Sequence, residues 1–315
     1  MKTGGVNLNQ SAKTYLGLLA VAFFWGTSFS VSKIGLRQLS PIHLAILRFS
    51  LASVIFYIML KIFYRNNSIE KKDLPLLWFL GILGVSSYFY IQYTGLELTT
   101  TVNTAIIIAI SPIFTIIFSS LIFHQESLTL NKIAGAIMAF SGIFLIFAGS
   151  SGIKLGRDTM AGDLLILSNS VAWALFTVLG KRLVEKYDPF VVMAHINIYG
   201  TITMLPLAFT PAFASSMKAT GLITWGAALY LASTCSVYGY FMWYRGVKVL
   251  GASRTAVFNY INPLFAVTIG ILFLKEPGNI YTLLGGAAVL AGVYTASRSR
   301  EKLSRNGEQV SSDRV

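Results

Sequence analysis

The sequence predicts an all-α integral membrane protein of ten transmembrane helices, arranged as two inverted five-helix repeats. Three observations lead there. Hydrophobic residues make up 55% of the 315-residue chain and charged residues only 12%, against about 25% charged in ordinary soluble domains. One soluble core does not hide that much apolar side chain. The apolar residues fall into ten runs, each near the roughly 20 residues that a helix needs to cross a hydrocarbon layer. The second half of the chain also repeats landmarks of the first at matched offsets, which marks a repeat architecture. The composition excludes disordered and disulfide-scaffold classes. Cys235 is the single cysteine, so no intrachain disulfide is expected, and His43, His124 and His195 are scattered without metal-ligand spacing.

The expected spans are 15–35, 42–64, 74–94, 101–123, 131–149, 162–182, 190–210, 221–243, 253–274 and 281–297. They divide into a first repeat at 15–150 and a second at 160–297, between polar tails at 1–14 and 298–315. Loops as short as Thr99–Thr100 and Gln125–Thr129 force neighbouring helices to be antiparallel. The first span is longer than the apolar core of a signal peptide and ends in no small-x-small cleavage site, so it reads as a helix of the mature chain.

The net charge of +13 suggests nucleic-acid binding in a soluble protein. Position gives another explanation. With ten spans, both tails lie on one side. That side holds 18 basic residues, among them Lys61, Lys71, Lys72, Lys181, Arg182 and Lys186. The other side holds 6, namely Lys33, Arg37, Lys154, Arg157, Lys218 and Lys275, and Arg48 lies inside a span. The positive-inside rule then puts both termini in the cytoplasm, in a cytoplasmic (inner or plasma) membrane. The lipid bilayer is the expected partner, and no nucleic acid is needed.

The repeat is detailed. Trp25 is followed by Lys33 and Pro41 at eight and sixteen residues, and Trp173 by Lys181 and Pro189 at the same intervals. Gly95 precedes Pro112 by 17 residues, as Gly246 precedes Pro263. After Glu126 and Glu276, glycines follow at nine and sixteen residues, Gly135 and Gly142 in one half, Gly285 and Gly292 in the other. Five spans per half is an odd number, so the second half enters the membrane inverted. That is a common build of secondary transporters, with the substrate site near the midplane between the halves.

These residues resemble the drug/metabolite transporter superfamily, specifically an EamA-type protein with two tandem EamA repeats. The resemblance rests on Trp25-Gly26 in the first span, Leu47-Arg48-Phe49 in the second, Tyr93-Thr-Gly95-Leu96 in the third, Ser111-Pro112 in the fourth and Glu126 with its glycines at the fifth. In the second half it rests on Trp173, Gly246, Asn262-Pro263, Glu276, Gly285 and Gly292. It covers residues 15 to 297 and implies cytoplasmic termini and movement of small metabolites, often amino acids or related compounds and often outward. The second half departs at two places: Ile196 stands where Arg48 is expected and Ala174 where Gly26 is. A role of Arg48 is therefore not mirrored.

The candidate site residues follow from chemistry. Proline inside a helix removes a backbone hydrogen bond and kinks it, so Pro112 and Pro263 are expected hinges or structural kinks. Arg48, six residues past Ile42, lies about 9 Å into its span at about 1.5 Å per residue. It either binds a substrate carboxylate or snorkels to the outer headgroups, which is easy at that depth. His195 is a candidate proton relay or a satisfied polar residue at the interface. No Asp or Glu is expected deep in a span, which weighs against proton antiport. Glu126 and Glu276 are expected to cap the helices that follow them, or to act at a gate. For the pocket, Gln92, Asn103, Asn169 and Asn259 beside Trp25, Tyr88, Trp173 and Tyr238 supply the mixed polar and aromatic wall that a small-molecule site needs. Interhelical hydrogen bonding is the alternative use of each polar group. The glycines read as packing stripes within a half or between two chains of a homodimer. An integral-membrane enzyme needs clustered acids, histidines or a metal set, and the sequence offers none. No catalytic residue, metal or cofactor is expected, and the tails are too short for a signalling domain.

Overall fold

A computed structural model describes residues 8–65, 68–148, 157–265, 268 and 280–298, and among these every regular element is helical. Five helices are long and apolar enough to cross a membrane: Pro41–Phe63, Lys71–Gly95, Leu130–Phe147, Arg157–Lys186 and Pro189–Ala208. Ile106–Ile122 and Leu283–Ser297 are shorter apolar helices. Their outward faces carry large exposed apolar side chains such as Phe63, Leu130, Leu164 and Leu283, which suit hydrocarbon and not water.

The first half runs α1 (Leu8–Gly35), α2 (Pro41–Phe63), α3 (Leu74–Gly81), α4 (Ser87–Leu98), α5 (Thr101–Ile108), α6 (Ser111–Ile117) and α7 (Leu130–Ala148). The second runs α8 (Arg157–Lys186), α9 (Pro189–Met204), α10 (Pro211–Ala219), α11 (Leu222–Tyr230), α12 (Gly239–Leu250), α13 (Ala252–Val257) and α14 (Ile280–Ser297). The repeat shows in local structure. Ser40 accepts from the His43 N–H ahead of Pro41, and Asp188 accepts from Phe190 N–H ahead of Pro189. A capping oxygen followed by proline in the first turn starts both helices. α3 passes into α4 through a π-helical turn at Ile82–Ser86, and α11 into α12 through another at Leu231–Tyr238.

Several boundaries differ from expectation. α1 begins at Leu8, so part of the expected 1–14 tail is helical, and α8 begins at Arg157. The expected span 101–123 is broken at Ala109–Ile110, just ahead of Pro112. α10 was not anticipated. Its apolar content merges with the flanking runs in the sequence, and Thr210, accepting from Phe213 N–H, gives it a start of its own. Gly149, Lys154, Lys275, Glu276 and the expected tail beyond Arg298 lie outside the described residues.

α7 and α14 pack backbone to backbone. A Cβ on Gly135 would lie 2.5 Å from the Gly292 carbonyl oxygen, and one on Gly142 2.6 Å from that of Gly285. Residue number rises along one helix as it falls along the other, so the pair is antiparallel. The glycine stripes thus join the two halves of one chain, where a single half or a second chain was expected. Small residues are what permit this approach.

Hydrogen bonds tie the bundle at both ends. At one, Gln38 Oε1 accepts from Gly221 N (3.0 Å) and Thr224 Oγ1 (2.7 Å), and Asp163 accepts from Thr99 and Asn103. At the other, Lys186 Nζ lies 2.6 Å from Glu70 Oε1 and 2.7 Å from Asp73 Oδ2, and Tyr187 donates to Asp73. Lys186 first, then Lys72, holds the Glu70 carboxyl below its ordinary value of 4.5. A folded pKa below the unfolded one contributes stability above the unfolded pKa and loses it as pH falls through the folded one. The thermal midpoint of Glu70→Gln is therefore expected slightly below wild type at pH 7, since exposed pairs are weak, with the gap closing below pH 4.5. A gap that does not narrow as the pH falls below 4.5 removes the ion pair as its cause.

Candidate functional site

A cavity of about 200 Å3 opens between the halves. Helical spacing brings its lining together. Trp25, Ser28 and Ser32 on one face of α1, with Leu36 in the turn just after it, recur at three- and four-residue steps, and Tyr88, Phe89, Gln92 and Tyr93 form two adjacent steps on α4. Arg48 comes from α2, Thr104 and Ile108 from α5, Ser111 from α6, Ser170 and Trp173 from α8, Tyr240 from α12, and Asn259 and Asn262 from the chain after α13.

The lining is itself repeated. Trp25 and Trp173 are repeat partners, with ring centroids 5.5 Å apart. Phe89 and Tyr240 stand six residues before the paired Gly95 and Gly246. Ile108 and Asn259 stand four residues before the paired prolines, and Ser111 and Asn262 directly before them. The cavity therefore sits where equivalent elements of the two halves meet. Both prolines stand at interrupted helices. Pro112 follows the break at Ala109–Ile110, and Pro263 follows the 3-10 turn Phe258–Tyr260.

Aromatic rings form the inner wall. Trp243 lies 5.3 Å from both Trp25 and Trp173, and Tyr240 6.0 and 5.7 Å from them. Two indole N–H groups are already used, Trp25 Nε1 on the Cys235 carbonyl (3.0 Å) and Trp243 Nε1 on Thr177 Oγ1 (3.1 Å). Trp173 Nε1 and Ser111 Oγ are buried without a hydrogen-bond partner.

Arg48 is 5% exposed, which overturns the snorkelling alternative. Its Nε donates to Ser236 Oγ (2.9 Å), and its guanidinium lies 5.0 and 4.8 Å from the Phe49 and Phe89 ring centres. Aromatic faces steady a cation without neutralising it. Among the described residues no carboxylate pairs with Arg48.

Glu126 has the opposite fate. Its side chain is 1% exposed and takes Lys132 Nζ at 2.9 Å and Lys181 Nζ at 3.5 Å. It also accepts from the Ala252 and Ser253 backbone N–H groups, and so caps α13 of the other half. Capping of the following helix, α7, was the expectation. A long-range cap leaves no sequence signature beyond Gly251, whose φ of 91° belongs to the region glycine favours and lets the carboxylate come close. Burial pushes the Glu126 carboxyl up, but Lys132, Lys181 and its hydrogen bonds outweigh that and leave it below the ordinary carboxylate value. Ser119 and Ser253 share a 2.7 Å hydrogen bond beside it.

Of the expected pocket residues, Trp25, Arg48, Tyr88, Gln92, Trp173 and Asn259 line the cavity. Asn103, Asn169 and Tyr238 do not. Asn103 donates to Asp163, Tyr238 packs edge-on against Phe24 at 5.8 Å, and Asn169 is fully buried with neither amide atom partnered. His195 also lies off the lining, its Nδ1 2.8 Å from the Val191 carbonyl one turn back. Among the residues missed are Thr104, Ile108, Ser170, Ser28, Ser32 and Phe89. Extending the Trp25 face by helical steps, and the Tyr88 face by one residue, finds the last three.

Membrane-length helices enclosing a mixed polar and aromatic cavity between two repeats define a membrane transporter and not an enzyme. The model of the EamA-like transporter family matches the chain twice, over residues 12–148 and 160–298, and the chain belongs to that family. An uncharacterized transporter of Archaeoglobus fulgidus is 30% identical over 93% of this chain and all of its own length. A probable terminal-alkyne amino-acid exporter of Streptantibioticus cattleyicolor is 25% identical over 91% of this chain and 94% of its own. A protein of known crystal structure shares the fold with a TM-score of 0.77 at 18% identity, over 90% of this chain and 96% of that one.

Proposed function

We propose that this protein moves a small metabolite, an amino acid or a related compound, outward across the cytoplasmic membrane by alternating access between two inverted five-helix halves. The observation that carries the reading is the cavity at the meeting of repeat-equivalent residues, with Arg48 as the charged group in its described lining. The antiparallel α7–α14 pair supports the inverted arrangement of ten spans, and the charge bias of the loops supports cytoplasmic termini. With that orientation, Ser32 and Leu36 open the cavity to the outside, while Glu126 and the Trp25–Trp173–Trp243 cluster close it on the cytoplasmic side. Movement to the inward-facing state separates Glu126 from α13 and bends the chain at Pro112 and Pro263. Arg48 holds the substrate carboxylate, Gln92 and Asn259 orient its polar groups, and Trp25, Tyr88 and Trp173 wall its apolar part.

Proteoliposomes loaded with labelled amino acids and related acids test this. Saturable flux is expected, and Arg48→Ala should lower carboxylate flux about 10- to 100-fold, the worth of one hydrogen-bonded charge. Silence across a broad panel rejects transport of this class. Flux with unchanged kinetics in the variant removes the role of Arg48.

A further inference from the structure

Among the described residues the protein pairs one group of buried cations completely and leaves another open. Lys132, 1% exposed at its side chain, sits 2.9 Å from a carboxylate, and Lys181 shares that carboxylate at 3.5 Å. Arg48 has the Ser236 and Tyr93 hydroxyls and two aromatic faces, all uncharged. The groups around it point the same way. Trp173 and Ser111 line the cavity, and behind its surface their Nε1 and Oγ are buried without hydrogen-bond partners. Trp173 has only a proton to give. Arg48 and Ser111 belong to the first half and Trp173 to the second, so an occupant of the cavity touches both.

We propose that the occupant is a small organic monoanion, carried without a co-transported ion, so that each transport cycle moves one negative charge and an inside-negative membrane drives it outward. Charge balance decides between substrates. A cavity closed around Arg48 and an occupant excludes the water that screens them, and a charge without a counter-charge is disfavoured there. A monoanion brings the site to net zero. A zwitterion leaves the net positive charge in place and adds an ammonium, for which the described lining has no carboxylate. An amine doubles the positive charge. No acid or histidine lines the described cavity to send a proton along with the substrate. The inference rests on the proposed transport reading and narrows its substrate to acids that lack a free amine.

The experiment uses one carbon skeleton in four charge states: 3-phenylpropanoate, phenylalanine, 3-phenylpropylamine and 3-phenylpropanol. Binding to the purified protein is read from tryptophan fluorescence. Flux is read in proteoliposomes clamped by potassium and valinomycin. The propanoate should bind at least about tenfold tighter than the other three, the difference that an unmatched charge makes. Its accumulation should rise about tenfold for each 60 mV that the interior is made positive. Arg48→Lys should keep the preference for the anion and Arg48→Gln should lose it. Trp173→Phe, which keeps an aromatic ring and removes the N–H, should weaken the propanoate more than the propanol, so the test survives if Arg48→Gln fails to fold. Equal binding of phenylalanine, or flux indifferent to the clamp, overturns the monoanion inference and leaves transport standing. No binding and no flux for any of the four, together with silence of the wider panel, overturns the transport reading itself.

Discussion

Glu126→Ala is expected to destabilise the protein by about 3–5 kcal/mol, the loss typical when one partner of a buried ion pair is removed. The substitution strands Lys132, whose side chain is 1% exposed, and strips α13 of its cap at Ala252 and Ser253. Denaturant unfolding in detergent measures the loss. Changing Lys132 to Met in the same chain should recover part of it, because the buried charge then goes too. A loss below about 1 kcal/mol is what a surface pair gives, and it would mean that the site is hydrated. Because Glu126 sits in the first half and α13 in the second, the variant should also open the bundle at this end more often. A cysteine placed beside Ser253 would then label faster than in wild type.

Gly142→Ala is the second large effect. The new Cβ would meet the Gly285 carbonyl oxygen at 2.6 Å and the Val289 nitrogen at 2.8 Å. Both are backbone atoms, so no rotamer relieves the clash and the helices must part. Overpacking of this kind costs about 1–3 kcal/mol. Gly285→Ala should cost a similar amount, since its Cβ would meet the Gly142 oxygen at 2.6 Å. The two together should cost clearly less than their sum, because helices already parted by the first methyl accommodate the second. Strict additivity would place the two glycines in separate contacts and contradict the antiparallel pair.

These two sites also divide what the sequence reveals from what it hides. Period and composition give the class, because a hydrocarbon environment writes apolar runs directly into the chain. Matched offsets give the repeat, and with it the paired tryptophans, prolines and glycines that meet at the cavity and at α7–α14. Offsets do not say which helix meets which. Glu126 was therefore assigned to the helix after it in sequence, and the glycine stripes to one half or to a second chain. Arg48 shows the same limit. Depth along a helix is readable from residue number, but the direction of the side chain depends on Ser236, Phe49 and Phe89, and Ser236 lies 188 positions away. Asn103 and Asn169 have the right chemistry, yet Asn103 bonds Asp163 at one end of the bundle and Asn169 is buried off the lining. Polarity within a span marks a residue as unusual without giving its direction.

The α7–α14 contact has a consequence for biosynthesis. Gly142 is made and inserted well before its partner Gly285 leaves the ribosome, and so is Gly135 before Gly292. Through that interval the first half carries a bare groove of backbone that nothing later in its own half covers. The order of synthesis makes α14 the closing piece of the assembly, and a nascent chain that stalls before it offers that groove to any other helix in the membrane with small residues at a seven-residue spacing.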